Sequence, residues 1–226
     1  MGNPFSPAVH AATYLTRHGP HDFLRRLGLR ASEYFHDHRL GIRTRAMVAT
    51  GGGEDSIDYM PIPYRHLARM LSKVQMSGDS VFLDYGSGMG RVVTVAATYP
   101  IRRAMGVELS HEMVVAARRN FAHARGVVCR SVEFVEQNAT GFVVPDDVSV
   151  IHFYNPFVGE TLAKVVNRIH ESLARRPRRV QIIFFNHKHF DRIVGGMDWL
   201  RQVLSDRFYP HYGGALYETV PARLSR

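Results

Sequence analysis

The chain has 226 residues, 45% of them hydrophobic and 22% charged. That composition belongs to a globular protein with its own core and excludes a disordered or fibrous chain. The net charge of +9 raises the question of an anionic partner such as nucleic acid. The basic residues are almost all arginine, Lys73, Lys164 and Lys188 being the exceptions, a bias that reads as codon composition. They are also scattered. The densest run, Arg175-Arg176-Pro177-Arg178-Arg179, falls where a helix should pass into a strand and reads first as a solvated loop. Cys129 is the single cysteine, so no internal disulfide or cysteine zinc site can form, and a reducing, cytoplasmic setting is expected. The longest charge-free runs, such as Val92–Ile101, fall short of the ~20 residues that span a bilayer, so no membrane is expected. Met1–Ser6 fits a loose myristoylation pattern, short enough for chance matches to be common.

Residues 1–50 are rich in Arg and His, with a short helical pattern at Asp22–Leu29. Thr50–Asp55, with three consecutive glycines, reads as a flexible joint. The boundary is therefore placed after residue 54: a mainly helical N-terminal extension or cap over 1–54 and a larger domain over 55–226. Pro61 and Pro63 precede an apolar helical period over Tyr64–Leu71.

From residue 79 the pattern alternates. Val81–Asp84 is a short buried strand, Gly86–Gly90 a glycine turn and Arg91–Thr98 a helix. Strand Ala104–Leu109 and helix Glu112–Ala124 follow, then strands Val132–Val135 and Ser149–Tyr154. Helix Leu162–Ala174, strand Val180–Phe185 and a short helix over Met197–Leu204 come next. Phe208–His211, Gly213-Gly214 and Ala215–Val220 read as a hairpin. The class is α/β: a doubly wound, mostly parallel sheet with a C-terminal antiparallel hairpin.

The sharpest signal is Asp84-Tyr85-Gly86-Ser87-Gly88-Met89-Gly90, between a strand and a helix. Glycines let the backbone turn tightly and approach a ligand, and a helix start presents free N–H groups. The dinucleotide fingerprint is G-x-G-x-x-G/A. Here its last position is Arg91, which argues against a NAD-dependent oxidoreductase. The spacing is G-x-G-x-G with an acid two residues ahead, and it suits S-adenosylmethionine (SAM). Asp84 can meet the methionine ammonium and glycine N–H groups its carboxylate. One strand–helix step later, Glu108 ends Met105-Gly106-Val107-Glu108-Leu109, where an acid accepts from both ribose hydroxyls.

These residues resemble the class I SAM-dependent methyltransferases over roughly residues 55–220. The resemblance implies a seven-stranded sheet with the last strand antiparallel, SAM as cofactor, and a site over the carboxyl ends of the strands. Cofactor contacts are then expected from Asp84, Tyr85, Gly86, Ser87, Gly88, Gly90, Glu108, Leu109, Asn138 and Asn155. Asn138 stands where the family often places an acid against the adenine amine. Tyr154-Asn155-Pro156-Phe157 is similar to the Asn-Pro-Pro-Tyr/Phe signature of amino methyltransferases, short of one proline. It puts Tyr154 and Asn155 at the transfer site and Phe157 against the substrate. Tyr59 and Tyr64 flank a segment that in this family folds over the cofactor and are candidate substrate contacts. His187, at the end of the fifth strand, is a candidate general base, as is His189; with no carboxylate nearby the pair makes a poor metal site, and no metal is expected. The activity expected is methyl transfer to an amine or hydroxyl of a small molecule or protein side chain. The alternatives are an RNA methyltransferase, favoured by the charge, and a non-catalytic SAM-binding module.

Overall fold

The computed structural model describes residues 7–45, 59–185, 188–209 and 212–221. The N-terminal extension is one helix, α1, Pro7–Leu40, rather than short pieces. Pro20 lies inside it, and Leu24, Leu27, Tyr34 and Phe35 are exposed on it, so the burial period that betrays a helix is faint. The expected joint at Thr50–Asp55 and the Met1–Ser6 pattern lie outside the described residues. α2 (Tyr64–Leu71) buries Tyr64, His66, Leu67, Met70 and Leu71 on one face.

Then the strand–helix alternation begins: β1 (Val81–Tyr85), α3 (Arg91–Ala96), β2 (Arg103–Glu108), α4 (His111–Ala122), β3 (Ser131–Glu136), β4 (Val150–Tyr154), α5 (Gly159–Arg175), β5 (Gln181–Phe185), α6 (Lys188–Val194), β6 (Leu200–Tyr209) and β7 (Tyr212–Thr219). They form one seven-stranded sheet in the order β3-β2-β1-β4-β5-β7-β6. The pairings are parallel from β3 to β5 and antiparallel around β7, as the sequence led us to expect. β1 and β5 are buried along their whole length, which is why Val81–Leu83 and Ile182–Phe185 read as apolar runs without alternation. Tyr85, Phe153, Phe184, Leu162 and Ile169 fill one face of the sheet. Phe82, Ile183, Phe185, Leu67, Met70 and Val93 fill the other. No helix among the described residues is long and apolar enough to cross a membrane.

Two readings near the C-terminus are corrected. The short helix expected over Met197–Leu204 is instead the start of β6. The cause is a bulge between Gln202 and Leu204, opposite Tyr217 and Leu216. It sends Leu200 and Leu204 to opposite faces, each into a different half of the core, so the strand shows leucines at helical spacing instead of alternation. Gly213 and Gly214 do not form the hairpin turn; they pair with Arg207 and Asp206 inside β7. A side chain on Gly214 would press on Met70, at 3.2 Å from its sulfur, and one on Gly213 would collide with the Asp206 carbonyl. The glycines admit neighbours rather than a turn.

Chain order and sheet order part company at β1. Successive strands run outward on one side through β2 and β3, and on the other through β4 and β5. That switch point opens a crevice at the carboxyl ends of β1 and β4, where ligands bind in open α/β sheets.

Candidate active site

A cavity of about 260 Å³ occupies that crevice. β1 supplies Asp84, its following turn Gly86 and Ser87, and β2 Glu108 with Leu109 and Ser110. Asn138 enters from the β3 loop, Tyr154, Asn155 and Phe157 from β4 and its loop, and Tyr212 from β7; Tyr59, Met60 and Ile62 form a wall ahead of α2.

The glycine turn is built by close approach. Gly86, Gly88 and Gly90 have φ of 68°, 51° and 82°, backbone that favours glycine. A side chain on Gly86 would strike Pro156, and one on Gly88 would strike the Tyr59 ring. Gly88 and Gly90 are thus covered by protein, Gly90 by Phe134 and Ala117, while Gly86 and Ser87 face the cavity. Tyr85 sends its ring the other way, stacked on Phe153 at 5.0 Å, so its side chain serves the core.

Glu108 is 9% exposed. Its carboxylate accepts from the amides of Gly88 (2.9 Å), Leu109 (2.8 Å) and Ser110 (2.9 Å). The residue expected to hold a ribose also ties the glycine turn to the end of β2. Asp84, 2% exposed, stands opposite His152 in the β1–β4 register, and Nδ1 of His152 lies 2.7 Å from its Oδ1. Burial pushes the Asp84 carboxyl above the usual range, and the facing His152 pulls it back down.

Asn155 carries positive φ, 47°, alone among the described non-glycine residues. Its Oδ1 is buried without a hydrogen-bond partner, and so is Oγ of Ser87. Buried polar atoms are normally satisfied, so two orphaned oxygens beside one cavity mark where a ligand supplies donors. Phe157 is edge-on to Tyr85 and Phe153 at 6.3 and 6.1 Å. Tyr154 lies across Tyr212, ring centroids 6.3 Å apart, and burial raises its hydroxyl pKa above the ordinary tyrosine value. Asn138 lines the cavity, but its Oδ1 already accepts from the amide (2.9 Å) and hydroxyl (2.8 Å) of Thr140. It caps the turn Ala139–Gly141, leaving its amide NH₂ as the group able to meet an adenine ring nitrogen.

The sequence reading noted Arg91 only as a departure from the dinucleotide pattern. In the structure it is 2% exposed and ties α1 to the core. It donates to Thr44 Oγ1 (2.7 Å), the Ile62 carbonyl (2.7 Å) and Glu33, and lies 3.4 Å from Asp37. Its guanidinium sits 4.3 Å over the Tyr64 ring. Tyr64 donates to Asp37 at 2.6 Å; it packs α1 and does not line the cavity. Tyr59 does line it, and its hydroxyl donates to the Thr44 carbonyl at 3.0 Å. His187 lies outside the described residues, and the side chain of His189 does too. His152 was missed: a histidine in an apolar strand gives no sign of which neighbour it faces.

The sheet order and its antiparallel edge recur in solved structures. An RNA methyltransferase from Salinibacter ruber, crystallised with S-adenosyl-L-homocysteine, superposes with a TM-score of 0.54 at 19% identity, over 74% of this chain and 100% of that one. The chain therefore shares the fold of class I SAM-dependent methyltransferases. A ribosomal protein L11 methylase from Lactobacillus delbrueckii also matches, with a TM-score of 0.51 at 16% identity over 68% of this chain and 77% of that one. One of these neighbours is an RNA methyltransferase and the other a ribosomal protein methylase, so the methyltransferase fold alone does not select an acceptor. Residues 59–152 match the family described as histone methylation protein DOT1. A protein-lysine N-methyltransferase from Saccharolobus islandicus is 34% identical over 65 residues, 28% of this chain and 40% of that protein. The match therefore spans less than half of the curated relative's length.

The residues present fit SAM. The crevice offers a buried carboxylate at Asp84 for an ammonium, a second at Glu108 for a diol, and orphaned oxygens at Ser87 and Asn155. A carboxylate has about four lone-pair sites, and the three backbone amides on Glu108 do not exhaust them.

Proposed function

We propose that this chain methylates an amine on a protein side chain, with Asn155 as the group that orients the acceptor nitrogen. The observation that carries this is the buried, unpartnered Oδ1 of Asn155 on the cavity wall, held by left-handed backbone. A residue in so costly a conformation needs a reason, and strain of this kind gathers at functional sites. An amine N–H is the donor that Oδ1 lacks; a deprotonated alkoxide offers none. The matches to the histone-methylation family and to a protein-lysine methyltransferase support the amine reading.

SAM, when bound, supplies a methyl group on a sulfonium that is already a good leaving group. Asp84 and Glu108 are the residues to hold its amino group and ribose. Leu109, 53% exposed, offers an apolar surface to the base. Asn155 accepts from the acceptor amine and points its lone pair inward, and Phe157, Tyr154 and Tyr212 exclude water. Such positioning, to roughly 3 Å between nucleophile and methyl, accounts for much of the rate. A neutral amine needs orientation more than a base. With its pKa raised, Tyr154 stays a neutral hydroxyl and acts as a hydrogen-bonding wall. Residues 1–54 are read as a cap, fastened by Arg91.

The test is to incubate the protein with methyl-labelled SAM and lysate of its own host, then separate RNA, protein and small molecules. Label on protein amines is the expected result. Label in RNA or in metabolites overturns the acceptor class. No label anywhere, with SAM binding verified by calorimetry, leaves a non-catalytic SAM-binding module in its place.

A further inference from the structure

We infer that His152 is the positioning residue for the amino-acid end of the cofactor: it acts through Asp84, fixing the carboxylate so that one oxygen faces the cavity. This rests on the reading of the crevice as a SAM site. Three observations carry it. The parallel register sets Asp84 and His152 side by side on adjacent strands. Nδ1 of His152 lies 2.7 Å from Asp84 Oδ1, with side chains 0% and 3% exposed. And Nε2 of His152 is buried with no hydrogen-bond partner, its ring set between Phe82 and Phe185 at centroid distances of 6.3 and 5.6 Å. The imidazole has its bond to Asp84 and apolar walls around it.

The arrangement has a clear physical role. A carboxylate withdrawn from water needs a donor to stay ionised and to keep one rotamer. His152 gives that donor from the rigid middle of the sheet. It engages one carboxylate oxygen, and the other is left for a donor entering the crevice. A cationic amino group is the partner that a buried, already oriented carboxylate favours. Asp84 selects the ammonium, and His152 keeps Asp84 ready for it.

The probes are S-adenosylhomocysteine, which carries the amino-acid moiety, and 5′-methylthioadenosine, which lacks it. Their affinities are measured by calorimetry on the full chain. His152→Leu is expected to weaken S-adenosylhomocysteine roughly ten- to hundredfold and to leave methylthioadenosine within about twofold, inside the measurement's resolution. His152→Asn, whose amide nitrogen reaches where Nδ1 stands, is expected to restore most of the loss. His152→Gln, whose amide falls beyond Asp84, is expected to behave like Leu. In an Asp84→Asn background, His152→Leu should add little, the mark of a residue that acts through another.

If His152→Leu does not fold, the Asn and Gln variants carry the same contrast. Equal weakening of both probes, or none of either, would overturn the inference. A wild-type chain that binds neither probe would instead overturn the SAM site itself.

Discussion

The two ends of the sheet are both crowded with polar groups and use them in opposite ways. At the amino ends of the strands the arginine-rich segment is occupied with the protein itself. Arg178 donates to the carbonyls of Val148 (2.8 Å), Ser172 (3.1 Å) and Pro145 (3.2 Å) and to the Ser172 hydroxyl (2.9 Å). Arg175 grips Asp146, Arg179 meets Glu218, and Asp147 spans Arg102 and Arg103. At the carboxyl ends, Ser87 and Asn155 keep buried oxygens with no partner around a hollow. Satisfied polar groups build a wall, and unsatisfied ones around a cavity wait for a ligand. The run Arg175–Arg179 is thus an exposed loop, as the sequence led us to expect, with Arg175, Arg178 and Arg179 engaged by neighbouring groups of the protein, and it lies at the end of the sheet opposite the crevice.

The strongest way to break this contrast is Arg91, a satisfied network at the carboxyl end. Arg91→Met leaves Glu33 without its cation and the buried Asp37 with only the half-exposed Arg45, 3.4 Å away. It should cost about 3–5 kcal/mol in urea unfolding, the usual penalty for breaking a buried ion pair. It should also expose α1 to proteolysis. A loss under about 1 kcal/mol, the worth of a surface pair, would show that α1 is not held by this lock.

Next comes Glu108→Ala. Because three backbone amides rest on that carboxylate, it should weaken S-adenosylhomocysteine by roughly a hundredfold and also cost about 1–3 kcal/mol of stability. Unchanged affinity by calorimetry would refute the ribose assignment. Arg178→Ala sharpens the contrast from the far end: about 2 kcal/mol lost from its carbonyl bonds, with cofactor affinity unchanged. A loss of affinity there would mean that the ends are coupled.

The smallest effect on folding is Asn155→Gly. It relieves a left-handed φ and removes an unsatisfied buried oxygen, so thermal denaturation should show stability unchanged or raised by up to about 1 kcal/mol. Methyl transfer should fall at least tenfold, about 1.4 kcal/mol of transition-state stabilisation. A variant as active as the parent would remove Asn155 from the site.

What the sequence revealed follows from how local each signal is. Asp84 and Glu108 are legible because strand, turn and acid lie within a few residues, and the step between them is one strand–helix unit. The parallel sheet is legible because β1 and β5 carry apolar runs, Val81–Leu83 and Ile182–Phe185, with no polar alternation. The Arg91 lock is not, since its partners Glu33 and Asp37 lie 58 and 54 positions away and no pattern links them. His152 is hidden for the same reason: its pairing with Asp84, 68 positions off, exists only once the register is set. β6 was misread because its bulge replaces the period of two with a spacing that mimics a helix. Tyr64 follows a proline pair that marks a segment, yet nothing in that pattern says that its ring turns to Arg91 and away from the crevice.

The contact between Gly86 and Pro156 has a consequence for how such a protein can change. The turn that would hold the cofactor and the loop that would present the acceptor touch there with no room for a methyl group. Neither can be remodelled alone. An alanine at 86 would strike the Pro156 Cβ, which only a glycine at 156 would remove, and would still carry the strain of a φ of 68°; a larger acceptor loop needs the glycine kept. Across descendants of this sequence position 86 should stay glycine, and a library that randomises it should return mostly inactive chains, whatever stands at 156.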